Sequence, residues 1–294
     1  VRVLVTGVKG QLGHDVVNEM EKRGLTPIGV DLAEMDITDK EACDRVITEA
    51  NVEAVIHCAA YTAVDAAEDN VDVCMKVNAG GTRNIAGVCK KLGIKMMYIS
   101  TDYVFDGQGT RPWEPDDERE PLNVYGQTKL DGELAVSGTV DKFFIVRIAW
   151  VFGKNGKNFI KTMISLGKTH DTLSVVNDQI GTPTYTYDLA GCTGTLSERT
   201  GFLNKKSPAG HPNDRCFAGF SILLYAVFFF CAVCHTQHPT IRSIPTTSVI
   251  SDGSISISPP AAIKTRTSTD IFTDRKPSSE EDNPNTPISE VIKI

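Results

Sequence analysis

The sequence lacks an excess of basic residues. Its 294 residues include 30 Lys and Arg against 37 Asp and Glu, which gives a formal net charge of -7 at pH 7. Proteins bind nucleic acids through basic faces that neutralise phosphates. We therefore expect no nucleic-acid partner. Hydrophobic residues make up 41% and charged residues 23% of the chain, values typical of a globular protein.

The sequence also lacks a recognisable signal peptide and the regular cysteine spacing of a disulfide framework. Eight Cys are scattered along the chain. Four of them fall within predicted helices or strands: Cys43, Cys58, Cys74 and Cys89. We interpret these as buried thiols in a reducing compartment. The sequence therefore predicts a cytoplasmic protein without disulfides.

Residues 1–31 predict a β-α-β unit that binds a dinucleotide. Val1–Val5 is an apolar run typical of a buried parallel strand, and Thr26–Val30 forms a second strand that ends at Asp31. Three glycines follow the first strand in the spacing G-x-x-G-x-x-G: Gly7, Gly10 and Gly13. Glycines let a pyrophosphate approach the amides of a helix N-terminus, and an acidic residue after the second strand suits a ribose. A structural turn without a cofactor is the alternative interpretation.

The rest of the first 190 residues continues this alternation. Further strands are predicted at Ala54–Cys58, Lys95–Ser100, Phe143–Ile148 and Leu173–Val176, and helices at 40–50, 70–92 and 124–136. The connections are long enough for right-handed crossovers. The sequence thus predicts an α/β fold with a doubly wound, Rossmann-like parallel sheet and helices on both faces. Ligands are expected at the carboxyl ends of the strands.

Tyr125 and Lys129 are four residues apart, so they share one face of the helix predicted at 124–136. An ammonium beside a phenol stabilises the phenolate. We therefore expect Lys129 to lower the pKa of Tyr125 towards the range of a general acid or base.

Several motifs together resemble the extended short-chain dehydrogenase/reductases, and most closely the dTDP-4-dehydrorhamnose reductases among them. They are the three glycines, the segment Ser100–Gly107, the Tyr125/Lys129 pair, His57–Asp65, Asn78, Arg147–Gly153 and Gly181–Thr184. The resemblance covers about residues 1–190. It implies NAD(P)H-dependent reduction of the C4 keto group of dTDP-4-dehydro-L-rhamnose to dTDP-L-rhamnose.

The resemblance implies a role for individual residues. Tyr125 would protonate the C4 oxygen, Lys129 would hold the nicotinamide ribose, and Thr101 would hydrogen-bond the substrate carbonyl. The implied sugar-binding residues are Val64, Asp65, Thr101, Asp102, Tyr103 and Trp150. Trp150 fits a core position equally well, and Asn78 fits a solvated helix position.

The implied cofactor-binding residues extend over the first 129 positions. They are Gly7, Gly10, Gln11, Leu12, Gly13, Asp31, Asp36, Ile37, Cys58, Ala59, Ala60, Tyr61, Asn78, Tyr125 and Lys129. Asp31 would repel a 2′-phosphate, and no Arg or Lys lies between it and Asp39, so NADH is favoured over NADPH. The resemblance also suggests Mg²⁺ and a homodimer, although no residue is assigned as a metal ligand.

Residues 191–294 form a tail of different character. The basic Lys/Arg-Arg-Pro segment expected from the resemblance is absent, and Phe217–Cys234 is apolar and uncharged. That run fits a short membrane span, a buried helix or translation out of frame, and we favour the third. From Thr236 onward roughly two-fifths of residues are Ser, Thr or Pro, a composition that predicts disorder. Cys231, Cys234 and His235 match a haem or zinc pattern, which we interpret as chance.

Three functions remain open at this point. The first is the reductase, with activity impaired because the tail replaces the expected substrate domain. The second is a non-catalytic, dinucleotide-binding regulatory subunit that resembles the methionine adenosyltransferase β subunit. The third is a defective reductase without a working sugar site. Thr101-Asp102 and Val64-Asp65 favour an enzyme.

Overall fold

A computed structural model describes residues 1–109, 111–175, 179, 181–199 and 289–293, with side chains as far as residue 194. The strands are β1 (Arg2–Thr6), β2 (Thr26–Val30), β3 (Ala54–His57), β4 (Lys95–Thr101), β5 (Phe143–Ile148), β6 (Val151–Phe152), β7 (Thr184–Tyr185) and β8 (Ser289–Lys293). Six of them form one parallel sheet in the order β2-β1-β3-β4-β5-β8, and β6 pairs with β7 separately.

Helices connect these strands. They are α1 (Gln11–Lys22), α2 (Lys40–Ala50), α3 (Val64–Asp69), α4 (Val71–Met75), α5 (Thr82–Leu92), α6 (Val124–Ser137), α7 (Phe159–Leu166) and α8 (Thr186–Arg199). A π-helical segment, Lys76–Gly81, joins α4 to α5, and Asp102–Val104 forms a short 3-10 turn after β4. The helix predicted over 70–92 is therefore continuous but contains a π-helical segment.

The sheet is covered on both faces, as the sequence predicts. Neighbouring residues of β1 alternate between two apolar clusters, because successive side chains of a strand point to opposite faces. Leu4 packs with buried residues of α2, α5 and α6, whereas Val3 and Val5 pack with α1 and α8. The doubly wound parallel sheet is thus confirmed. It brings the carboxyl ends of β1, β3 and β4 to one edge.

The prediction of a strand at Leu173–Val176 is wrong for the residues described there. Leu173–Val175 form no strand, and Val176 lies outside the described residues. Leu173 is 38% exposed, so burial does not favour placing this run in the sheet. The position beside β5 is taken instead by β8, in parallel register from Phe143 with Ser289 to Arg147 with Lys293.

Most of the tail, including Phe217–Cys234 and the Cys231/Cys234/His235 pattern, lies outside the described residues. Its origin out of frame and the domain boundary at residue 190 stay predictions, and α8 runs across that boundary. No helix among the described residues is both long and apolar enough to cross a membrane.

Candidate active site

The glycine turn brings β1, α1 and the end of β3 into close contact. Gly7 has a φ of +69°, and a Cβ there would lie 2.9 Å from the backbone N and Cα of Ala59. A Cβ on Gly13 would overlap the carbonyl oxygen of Gly7. Only glycine fits these two positions without a shift of the backbone.

The N-terminus of α1 carries no side-chain cap. Gly10 occupies the cap position without a side-chain hydrogen bond, and the first turn contains no acidic residue. The Gly10 amide donates to the Gly7 carbonyl at 3.0 Å, while Leu12 anchors the turn in the core at 7% exposure. The first amides of any helix lack intrahelical partners, and together with the helix dipole they favour an anion at this end.

Asp31 lies beside the turn and is held there by backbone amides. Its carboxylate accepts hydrogen bonds from the Lys9 amide at 3.0 Å and from the Leu32 amide at 2.9 Å. A carboxylate has about four acceptor positions, so two remain for ribose hydroxyls.

Asp36 and Ile37 follow on the same loop. Asp36 accepts hydrogen bonds from the amide and hydroxyl of Thr38, and these bonds lower the pKa of its carboxyl. Ile37 is 8% exposed and packs against Gly81, where a Cβ would lie 2.7 Å from the Ile37 Cγ1.

The end of β3 is fixed to β1 through a buried imidazole. The Thr6 hydroxyl lies 2.8 Å from His57 Nδ1 and accepts hydrogen bonds from the Cys58 and Ala59 amides. His57 Nε2 lies 3.1 Å from the Thr82 hydroxyl. Burial, with a further contribution from the Lys129 charge, lowers the pKa of His57 to about 3. The imidazole is therefore neutral and structural at neutral pH.

Asn78 is buried rather than solvated. It lies in the π-helical segment at 1% exposure, accepts a hydrogen bond from the Tyr61 amide at 2.8 Å and donates to the Tyr61 carbonyl at 3.1 Å. It also donates to the Thr128 hydroxyl at 3.0 Å. The Asn78 side chain thus binds the backbone of the segment Ala59, Ala60 and Tyr61 at Tyr61, and it links this segment to α6 through Thr128.

Thr101 and Tyr125 meet at the carboxyl end of β4. The Thr101 hydroxyl lies near enough to the Tyr125 phenol to act against the rise in its pKa, and it donates a hydrogen bond to Asp102 Oδ1 at 3.0 Å. The Tyr103 ring packs edge-on against Tyr125, with centroids 5.7 Å apart. A Cβ on Gly126 would overlap the Tyr103 carbonyl, so this glycine lets α6 approach the loop. Sequence reasoning missed Gly126, although it directly follows Tyr125.

Lys129 is 2% exposed, and its ammonium donates to the Ile99 carbonyl at 2.8 Å. It also lies 4.1 Å from the centroid of the Tyr98 ring. Burial lowers the pKa of Lys129 to about 7, against the opposing effect of Glu133.

The expectation that Lys129 lowers the pKa of Tyr125 is not met in this structure. Burial raises the pKa of Tyr125, and the Thr101 hydroxyl opposes the rise only in part. The cause is that both groups have lost hydration, Lys129 completely and Tyr125 in part, and loss of water disfavours the phenolate and the ammonium alike.

The remaining implied sugar-binding residues lie at the start of α3 and just after β5. Val64 and Asp65 begin α3, and the Asp65 charge reaches Tyr103, where it adds to burial and Asp102 in raising the pKa of the phenol. Trp150 follows β5 with a φ of +47°. Its side chain is 43% exposed, with its ring centroid 6.3 Å from that of Phe159. Trp150 is therefore a partly exposed residue and not a core residue.

A buried ion pair that the sequence did not reveal lies behind this site. Arg147 on β5 donates to both carboxylate oxygens of Glu133 on α6, at 2.8 and 2.7 Å, and to the Pro115 carbonyl at 2.8 Å. Both side chains are at most 1% exposed. Glu133 lies four residues after Lys129 on α6, but nothing in the sequence around it indicates Arg147 as its partner. The pair joins the helix that carries Tyr125 to the sheet.

No group of three or more His, Cys, Asp or Glu is placed to hold a metal ion within the part of the chain that the structure describes. The Mg²⁺ suggested by the resemblance therefore has no supporting ligand set among those residues.

Comparisons with known proteins agree with this geometry. Residues 1–208 match the family model described as RmlD substrate binding domain. The dTDP-4-dehydrorhamnose reductase of Mycobacterium tuberculosis is 42% identical over 202 residues, which are 67% of this chain and 66% of that protein. The chain thus spans about two thirds of the length of this curated relative.

Solved structures give the same result. The dTDP-4-dehydrorhamnose reductase of Bacillus anthracis, determined in complex with NADP, is 42% identical with a TM-score of 0.65 over 66% of this chain and 70% of that one. The reductase of Clostridium acetobutylicum is 38% identical with a TM-score of 0.69 over 80% and 81%. Because the family model matches well over half of the chain, the protein belongs to the RmlD family.

Proposed function

We propose that this chain is a dTDP-4-dehydrorhamnose reductase, which reduces the C4 keto group of dTDP-4-dehydro-L-rhamnose with NADH or NADPH. The observation that carries the proposal is the placement of the buried Thr101 and Lys129 at the carboxyl end of β4, with the Thr101 hydroxyl near enough to the Tyr125 phenol to act on its pKa. A non-catalytic subunit needs no such hydroxyl beside a phenol, so this placement favours the enzyme.

The glycine turn fits the pyrophosphate of a dinucleotide. Side chains are excluded at Gly7 and Gly13, and α1 presents an uncapped N-terminus to the same edge. Asp31 would accept hydrogen bonds from the adenosine ribose, and the Asp36-Ile37 loop would border the adenine. When bound, a reduced nicotinamide supplies the hydride.

Tyr125 would act as the proton donor to the C4 oxygen. Because its pKa is raised, the phenol is protonated at neutral pH, which is the form that an acid needs. Thr101 would turn its single hydroxyl hydrogen from Asp102 to the same oxygen when the sugar binds, so that the developing alkoxide is stabilised as it forms. Lys129, with a pKa of about 7, would hold the nicotinamide ribose and return a proton to Tyr125.

The sugar would lie between the two walls near Tyr125. Val64, Asp65 and Tyr103 would form one wall and Trp150 the other, with Asp102 orienting Thr101 through their 3.0 Å hydrogen bond. The dTDP group and a homodimer stay predictions of the resemblance, and a cytoplasmic location stays a prediction from the cysteines and the lack of a recognisable signal peptide.

Asp31 favours NADH, because its carboxylate would repel a 2′-phosphate. The NADP bound to the Bacillus anthracis enzyme is the reason to propose that both cofactors are accepted. The ratio of kcat/KM for the two cofactors tests the preference.

The direct test is turnover by the full chain. We expect NADH consumption that depends on dTDP-4-dehydro-L-rhamnose, with dTDP-L-rhamnose identified as product by mass spectrometry and NMR. Calorimetric binding of NADH is measured on the same preparation. Binding without turnover would reject the reductase in favour of the regulatory or defective alternatives, and absence of both would reject the dinucleotide site as well.

A further inference from the structure

The segment of residues 153–158, between β6 and α7, packs against the glycine turn. The Asn155 side-chain amide donates to two consecutive carbonyls of that turn, Lys9 at 3.1 Å and Gly10 at 3.0 Å. These partners lie 146 and 145 residues away along the chain. The contact is therefore a long-range one that the local sequence around either segment does not predict.

Two neighbours keep Asn155 in this position. The Asn158 amide donates to Gln11 Oε1 at 2.9 Å, and its side-chain oxygen accepts from the Lys161 amide at 3.0 Å as the cap of α7. Gly156 has a φ of +68°, and a Cβ there would lie only 3.1 Å from the Gln11 Cγ. Three residues of the segment thus lie against the start of α1: Asn155 contacts Lys9 and Gly10, and Gly156 and Asn158 approach Gln11.

The two carbonyls bound by Asn155 belong to the peptides that also carry the amides of Gly10, the N-cap of α1, and of Gln11, its first residue. The Lys9 carbonyl shares a peptide with the Gly10 amide, and the Gly10 carbonyl shares one with the Gln11 amide. Fixing both carbonyls fixes both peptide planes, because each peptide is rigid. A hydrogen bond accepted by a carbonyl also polarises the N–H of the same peptide. The Gly10 amide already donates to the Gly7 carbonyl, so through the Lys9 carbonyl Asn155 stabilises the closed turn. Through the Gly10 carbonyl it orients and strengthens the Gln11 amide as a donor to an anion at this helix end.

We propose that Asn155 is a positioning residue of the dinucleotide site, which acts on the pyrophosphate through the peptides of Lys9–Gly10 and Gly10–Gln11. The inference rests on the proposed function, since it assigns a dinucleotide to the glycine turn. Asn155 needs no contact with the cofactor for this role.

The test compares Asn155→Ala and Asn155→Asp with the control Asn70→Ala. Asn70 is exposed and donates to a single carbonyl, that of Ala66 at 2.8 Å, remote from the turn in sequence. Calorimetry measures the affinity of each full-length variant for NADH, for ADP and for adenosine, which lacks the phosphates. We expect Asn155→Ala to weaken NADH and ADP binding about tenfold, and Asn155→Asp to weaken it more because a negative charge faces the anion. Adenosine affinity should stay within about twofold of wild type.

Two affinity results would each overturn the proposal. One is unchanged ADP affinity in Asn155→Ala; the other is an equal loss for ADP and adenosine, which would indicate a general structural role. Hydrogen exchange of the ligand-free protein gives an independent reading, and the Gly10 amide should exchange faster in Asn155→Ala than in wild type or Asn70→Ala. If wild type itself does not bind NADH, the proposed function fails, and unchanged exchange at Gly10 would separately reject the role of Asn155.

Discussion

The glycine turn after β1 and the Thr101–Tyr125–Lys129 group after β4 lie at the same edge of the sheet but are built from different parts. The turn offers backbone amides, and its essential residues are those without side chains, such as Gly7 and Gly13. The second group consists of side chains in a buried patch, where Lys129 is 2% exposed. The glycine turn depends on the absence of side chains at close approaches of the backbone. The second group depends on how burial changes the pKa values of its ionisable side chains.

This difference determines how each site responds to change. A backbone site depends on close approach, so a single added methyl group is enough to disturb it. A site of buried side chains depends on desolvation, which shifts the pKa values of Tyr125 and Lys129 in opposite directions. Substitutions at the second site should therefore alter chemistry, whereas those at the first should alter binding and stability.

The largest effect is expected for Tyr125→Phe. Loss of the proton donor should lower kcat by about two to four orders of magnitude, the usual range for a general acid. The affinity for NADH should change little, because the glycine turn is untouched. Stopped-flow turnover and calorimetry on the same variant check both parts. Equal turnover in wild type and Tyr125→Phe would remove Tyr125 from the mechanism.

A smaller effect is expected from alanine substitutions in the glycine turn, and it should differ between Gly13 and Gly10. In Gly13→Ala the new methyl group overlaps the Gly7 carbonyl, so the backbone must shift, and we expect a loss of about 1–3 kcal/mol in the free energy of unfolding. In Gly10→Ala the closest atom is the same carbonyl at 3.1 Å, and the loss should stay below about 1 kcal/mol. Both variants should bind NADH less tightly, because a side chain enters the path of the pyrophosphate.

Denaturant unfolding measures the two losses on the same scale. Equal destabilisation by the two substitutions would show that the closeness of Gly13 to Gly7 does not limit the packing of α1 on the sheet.

The same contrast explains what could be predicted from the sequence. The order of strand, glycine turn, helix and acidic residue predicts the site after β1, because each residue acts locally there. The spacing of Tyr125 and Lys129 predicts their common helix face for the same reason. The pKa directions could not be predicted, because they depend on burial by distant elements.

Long-range partners were missed on the same grounds. The Arg147–Glu133 pair joins β5 to α6, and Asn155 reaches the glycine turn across 145 residues. Neither contact has a local pattern in the sequence. The edge strand β8 was missed because its partner β5 lies far upstream and its own surroundings have the composition of a disordered tail.

The smallest effect is expected from removing the N-cap of α6, the helix that carries Tyr125. Asn123 caps α6 by accepting a hydrogen bond from the Gly126 amide at 2.7 Å, and Asp39 caps α2 by accepting from the Glu41 and Ala42 amides at 2.9 and 3.1 Å. Replacing either cap by Ala should cost about 0.5–2 kcal/mol of stability. Only Asn123→Ala should also lower kcat, by about threefold, because Tyr125 lies in the first turn of α6 and loses its fixed position. Chemical denaturation and steady-state kinetics check the pair, with Asp39→Ala as the matched control. Equal kcat in the two variants would mean that Thr101 and the packing of Gly126 hold Tyr125 without help from the cap.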